Sequence, residues 1–106
     1  MNNNKTAIIT GAGTGIGKGI ALKFADNNFN LVLASRNVNN LNNVKKECDL
    51  LNNNSSVVIQ TDITDEKSVE NLFSESKSKF GKIDVLINNS GVFDGGALDE
   101  MSVETW

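Results

Sequence analysis

Five of the chain's nine glycines fall within ten residues, the stretch TGAGTGIGKG from Thr10 to Gly19, directly after the apolar run Ala7-Ile8-Ile9. Glycine costs about 0.5–1 kcal/mol in a helix interior relative to alanine. A cluster this dense, where a strand hands over to a helix, marks a place where something approaches the main chain closely. Amide groups at the start of a helix, with the helix dipole behind them, attract anions and phosphates above all. Spacing separates the phosphate-binding patterns that compete here. A Walker loop needs glycine, four residues and then Gly-Lys-Ser/Thr. In this chain Ala12 stands five positions before Gly17, and Gly19 follows Lys18 where a magnesium-binding hydroxyl is required. The pattern G-x-G-x-x-G, started at Gly11, meets Ile16 where its third glycine belongs. What remains is Thr10-Gly11-x-x-x-Gly15-x-Gly17.

Other side-chain chemistry is sparse. The 106 residues contain no histidine and no tyrosine, which removes imidazole acid–base chemistry, histidine metal ligation and phenol catalysis from them. A single cysteine, Cys48, excludes an internal disulfide and any CxxC metal site. It lies on an apolar helical stripe and reads as a buried small residue, in keeping with a reducing, cytoplasmic location. Ten Lys+Arg against 13 Asp+Glu leave a net charge of −3, which argues against a nucleic-acid or anionic-membrane surface. Met1 to Lys5 is polar and runs straight into a strand, unlike a secretory leader. No apolar run approaches the ~20 residues that span a bilayer. Asparagine patches such as Asn52-Asn53-Asn54 read as solvated faces and loops.

The elements that position the glycine loop follow from the apolar pattern. Lys5 to Thr10 reads as a buried strand, and Ile16 to Asp26 as a helix with Ile16, Ile20 and Phe24 on its inner side, Ala21 and Ala25 beside them, and Asn27-Asn28 at its end. Leu31 to Ser35 is a second strand. Val38, Leu41, Val44, Cys48 and Leu51 mark the inner side of a second helix, which stops in the loop Asn52–Ser56. Val57 to Gln60 is a third strand. Thr64 is the expected N-cap of a third helix that buries Val69, Leu72, Phe73 and Phe80 and closes at Gly81. Ile83 to Asn88 makes a fourth strand, and Ser102 is placed to cap a further helix. Strands alternating with helices predict an α/β fold: a Rossmann-type, doubly wound parallel sheet with helices on both faces and strand order 3-2-1-4. Residues 1–106 are then one domain, and the switch point between strands 1 and 4 brings the glycine loop and Asn88-Asn89-Ser90-Gly91 to one crevice.

With that frame in place, Thr10-Gly11-x-x-x-Gly15-x-Gly17 resembles the TGxxxGxG motif of the short-chain dehydrogenase/reductase family. Further stretches match in order: Asp62-Ile63 after the third strand, Asn88-Asn89-Ser90-Gly91 against the family's NNAG, and GKIDVLINNSG leading to GGALDEMSVETW. The resemblance runs from Lys5 to Trp106 and implies a dinucleotide cofactor. Gly11, Ala12, Gly13, Thr14, Gly15, Ile16 and Gly17 would form its cofactor loop, with Gly11 allowing the tight exit from the strand, Gly15 letting the pyrophosphate approach the main chain and Gly17 permitting close packing of helix on sheet. Asp62 would accept from the adenine amine with Ile63 packed nearby, and Asn89, Ser90 and Gly91 would line the adenosine ribose. Ser90 stands where the family usually has alanine.

The cofactor decision falls at the end of the second strand. NAD-specific domains carry Asp or Glu there, on the ribose 2′-hydroxyl. This chain has Ser35-Arg36-Asn37, with its only arginine and no acid between Asp26 and Glu47. A guanidinium offers a planar fork to a phosphate, so NADP(H) is expected over NAD(H). The family implies an NADP-dependent oxidoreductase moving hydride between nicotinamide and a small carbonyl or alcohol substrate. Its Tyr-x-x-x-Lys pair, its serine and the asparagine of its interfacial helix would lie after Trp106, as would the helices through which the family usually forms homo-oligomers. No catalytic residue and no metal ligand is therefore assigned here. Two readings follow: a truncated, cofactor-binding part of a reductase, inactive by itself, or a non-catalytic nucleotide-binding module.

Overall fold

The computed structural model describes residues 4–13, 15–52 and 55–89. Four strands and three helices alternate along the chain: β1 (Thr6–Thr10), α1 (Gly15–Asp26), β2 (Asn30–Ser35), α2 (Val38–Asn52), β3 (Ser56–Gln60), α3 (Glu66–Phe80) and β4 (Val85–Asn88). The strands form one parallel sheet in the order β3-β2-β1-β4, as the alternating pattern predicts.

The register sets the plan of the molecule. Thr10 is level with Ala34 on one side and with Asn88 on the other, and Ser35 is level with Gln60. All four strands thus end along one rim. Alternate residues point to opposite faces. Ala7, Ile9, Leu31, Leu33 and Val85 pack against α1 and α2, while Ile8, Val32, Ala34 and Leu86 pack against Leu72 of α3. Because both faces are covered, the strands are continuous apolar runs and every residue of β1 is buried.

Three details depart from the pattern expectation. In α1 the fully buried positions are Gly17, Ala21 and Ala25, with Ile20 and Phe24 only flanking the core, and Ile16 is 76% exposed. Small side chains let this helix lie close to the sheet, which moves its inner stripe one position on. Leu51 is 47% exposed and leaves the α2 stripe of Leu41, Val44 and Cys48. The N-cap of α3 is Asp65, whose carboxylate accepts from the Lys67 amide, and not Thr64; Gly81 in the left-handed conformation closes the same helix as expected.

Cys48 is buried, and desolvation, with Asp49 and Glu47 adding to it, pushes its thiol up to about 11. An inert core thiol is the result. Gly19, by contrast, has open space where a side chain would be. Gly19→Ala is expected to raise stability by about 0.5–1 kcal/mol through helix propensity alone, visible as a melting temperature a few degrees higher.

Candidate functional site

The rim where the strands end is built around Thr10. Its side chain is buried, and its hydroxyl oxygen accepts from the Asn89 amide at 3.0 Å while lying within donating distance of the Asn88 carboxamide oxygen (3.3 Å) and the Ile87 carbonyl (3.4 Å). The Asn89 side-chain amide then donates to the Gly11 carbonyl at 3.3 Å. One threonine therefore fastens the turn after β1 to the segment after β4, across the switch point. Removing the hydroxyl leaves the Asn89 N–H without its acceptor. Thr10→Val is expected to cost about 1–2 kcal/mol, read as a lower urea midpoint with an unchanged slope.

The glycine turn itself has three devices. Gly11 and Gly15 sit at positive φ, 63° and 58°, where other residues are strained. The Gly11 amide continues the ladder by donating to the Ala34 carbonyl at 2.8 Å. Gly17 faces the Gly11 carbonyl so closely that a methyl group at that position would overlap it, and would also come within 2.6 Å of the Asn89 side-chain nitrogen Nδ2. Ala12 is wholly buried, and Gly13 lies against the Asn40 side chain of α2. Gly15, at the first position of α1, is exposed with nothing within 4 Å of where its side chain would stand, and Ile16 beside it is exposed too. The first turn of α1 contains no acid. An open, glycine-lined helix start without negative charge fits a phosphate group.

Next along the rim, Ser35 accepts from the Asn37 amide at 3.1 Å, and Asn37 caps α2 by accepting from the Asn40 amide at 3.1 Å. The cap at Asn37 is an addition to the sequence reading, and its signal is an asparagine three residues before the amide it reaches. Arg36, Asn37, Val38, Asn39 and Gln60 line an open hollow of about 490 Å³. No carboxylate is among those residues, and the Gln60 amide donates to the Arg36 main-chain carbonyl at 3.2 Å.

Beyond β3, Asp62 accepts from the Thr64 hydroxyl at 2.6 Å and the Thr64 amide at 2.9 Å. Those two bonds, the hydroxyl first, hold its carboxyl below the ordinary range, and the Arg36 guanidinium adds to the effect. Since the folded value lies under the unfolded one, the contribution of Asp62 to stability is whole above the unfolded carboxyl range and fades as pH falls below about 4. Asp62→Asn is expected to flatten that acid limb when urea midpoints are followed from pH 5 to pH 2.

Gly11, Ala12, Gly13, Gly15, Ile16, Gly17, Ser35, Arg36, Asn37, Asp62, Ile63 and Asn89 thus all lie on or just beyond the rim where the four strands end. Thr14, Ser90 and Gly91 lie outside the described residues, as does the expected helix at Ser102. Thr10 and Gln60 are additions to the predicted set. Among the described residues no helix is long and apolar enough to cross a membrane, and no group of three or more His, Cys, Asp or Glu side chains is placed to hold a metal ion.

A doubly wound parallel sheet with a glycine turn at its switch point defines a Rossmann-type nucleotide-binding protein. The family model for short chain dehydrogenases matches residues 5–106, and the chain belongs to the short-chain dehydrogenase/reductase family of NAD(P)-binding oxidoreductases. It is 41% identical over 98 residues to the NADPH-dependent reductase BacG of Bacillus subtilis, covering 92% of this chain and 37% of that relative. The crystal structure of YwfH, an NADPH-dependent reductase involved in bacilysin biosynthesis, superposes with a TM-score of 0.79 at 37% identity over 96% of this chain and 44% of its own. An alcohol dehydrogenase from the archaeon Thermococcus sibiricus, complexed with 5-hydroxy-NADP, gives a TM-score of 0.79 at 31% identity over 97% of this chain and 44% of its own. The chain spans about two fifths of the length of these relatives.

Proposed function

We propose that residues 1–106 are the cofactor-binding part of an NADP(H)-dependent reductase that moves hydride between nicotinamide and a carbonyl or alcohol carbon. The observation that carries the cofactor choice is the hollow at the end of β2, where Arg36 is the only charged residue among the described ones that line it. A 2′-phosphate there gains a charge-assisted contact worth about 1.5–3 kcal/mol, and no acid is among the described residues that line the hollow. The glycine turn at Gly11–Gly17 takes the pyrophosphate, the exposed Ile16 supplies an apolar contact at its mouth, and Asp62 with Ile63 takes the adenine. The NADPH-dependent reductase named above, matched both in sequence and in structure, supports the same choice.

The cofactor, when bound, supplies the hydride chemistry. This chain's own residues bind and orient it. They contain no tyrosine, so the proton of the reaction comes from a group outside them, and the chain by itself is expected to bind without turning over. Calorimetric titration tests the reading: NADPH should bind at least about tenfold more tightly than NADH, and equal affinities would overturn the NADP(H) assignment.

A further inference from the structure

We infer that Thr64 is a positioning residue for cofactor recognition: by pinning one oxygen of Asp62 it sets how strongly the site distinguishes adenine from a purine that lacks the 6-amino group. The inference rests on the proposed reading of Asp62 as the acceptor of the adenine amine, and it concerns a residue that does not itself touch the cofactor.

Asp62 stands on the loop between β3 and α3, where a carboxylate would ordinarily swing among several rotamers. Here its main chain is held on both sides, with its amide donating to the Ser68 hydroxyl at 2.9 Å and its carbonyl accepting from the Asp65 amide at 3.0 Å. Its side chain is held at Oδ1 alone, by the hydroxyl and the amide of Thr64 together. Oδ2 has no protein donor among the described residues. A carboxylate fixed at one oxygen and open at the other is a one-sided reader. It accepts from an amine and repels a carbonyl oxygen placed at the same point. Helix capping does not account for Thr64, because Asp65 does that work through the Lys67 amide at 3.0 Å. The Thr64 hydroxyl is committed to Asp62 instead. The same pair of bonds favours the charged carboxylate, which keeps Asp62 an acceptor with no proton to offer.

The test compares affinities of the protein for NADPH and for its hypoxanthine analogue, in which a carbonyl replaces the 6-amino group. The wild-type protein is expected to prefer the adenine form by about tenfold, and Asp62→Asn to abolish that preference. Thr64→Val should lower the ratio by about threefold to tenfold, while Thr64→Ser, which keeps both donors, should restore it. If Thr64→Val keeps the wild-type ratio, or weakens both ligands equally, the positioning role is overturned although Asp62 still reads the base. If Asp62→Asn leaves the ratio unchanged, the adenine contact itself is wrong, and the inference falls with it. Melting temperatures measured alongside separate a local loss of order from a loss of fold.

Discussion

Gly17→Ala is expected to destabilise the protein by about 3 kcal/mol, a fall of roughly 10–20 °C in melting temperature. The physical reason is one added methyl group. It would overlap the main-chain carbonyl oxygen of Gly11 and press on the Asn89 side-chain nitrogen Nδ2. A flexible side chain could swing aside, but a carbonyl cannot. The peptide on one side of Gly11 is tied to Ala34 through its amide, and that carbonyl already takes a hydrogen bond from Asn89. Relief therefore requires α1 to lift from the sheet, which opens the packing of Ala21 and Ala25 and tilts the helix start away from the glycine turn. Affinity for a dinucleotide should fall together with stability. Thermal melts of the Gly17→Ala and Gly19→Ala proteins side by side supply the internal control, since the same change of residue has opposite signs at two positions of one helix. A loss under about 1 kcal/mol at Gly17 would show that α1 can slide without cost.

The second large effect is on cofactor choice. The double variant Ser35→Asp/Arg36→Gln is expected to lower the ratio of NADP to NAD affinity by about a hundredfold. Loss of the guanidinium removes the charge-assisted contact, and the new carboxylate repels a 2′-phosphate while accepting from a 2′-hydroxyl. Local structure should survive the change. Asn37 keeps its cap on α2, the Gln60 amide bonds the main-chain carbonyl of residue 36 rather than its side chain, and an aspartate at 35 can accept from the Asn37 amide as the serine does. The two dissociation constants, measured on one preparation at fixed ionic strength, decide the matter. A ratio within twofold of wild type would show that the hollow beside Arg36 does not select the cofactor.

Much of the architecture was legible in the residues. Continuous apolar runs such as Ala7-Ile8-Ile9 and Leu31-Val32-Leu33 can only be strands covered on both faces, and their alternation with helices leads to the observed order β3-β2-β1-β4. The positions that escaped the pattern share a cause: a contact outweighed a periodicity. Ile16, Ile20 and Phe24 carry the hydrophobicity of α1, yet the close approach at Gly17 turns the alanine stripe inward and leaves Ile16 at the mouth of the glycine turn. Thr64 has the residue type of a cap, but Asp62 draws its hydroxyl away, and Asp65 caps in its place. Thr10 was visible as the first letter of a motif, but its function as a fastener depends on Asn89, 79 residues away, and no local pattern carries that information.

The central strand also imposes an order of events on a nascent chain. β1 pairs with β2 within a few tens of residues, but its other flank waits for β4, and the Thr6 amide finds the Asp84 carboxylate only 78 residues later, at 2.8 Å. At about 5–20 residues added per second, that flank stays bare for roughly 4–16 s. Ile8 and Ile9 keep that flank open until Leu86 and Ile87, their partners in β4, have been made, and the bond from Asn89 to Thr10 closes the seam after them.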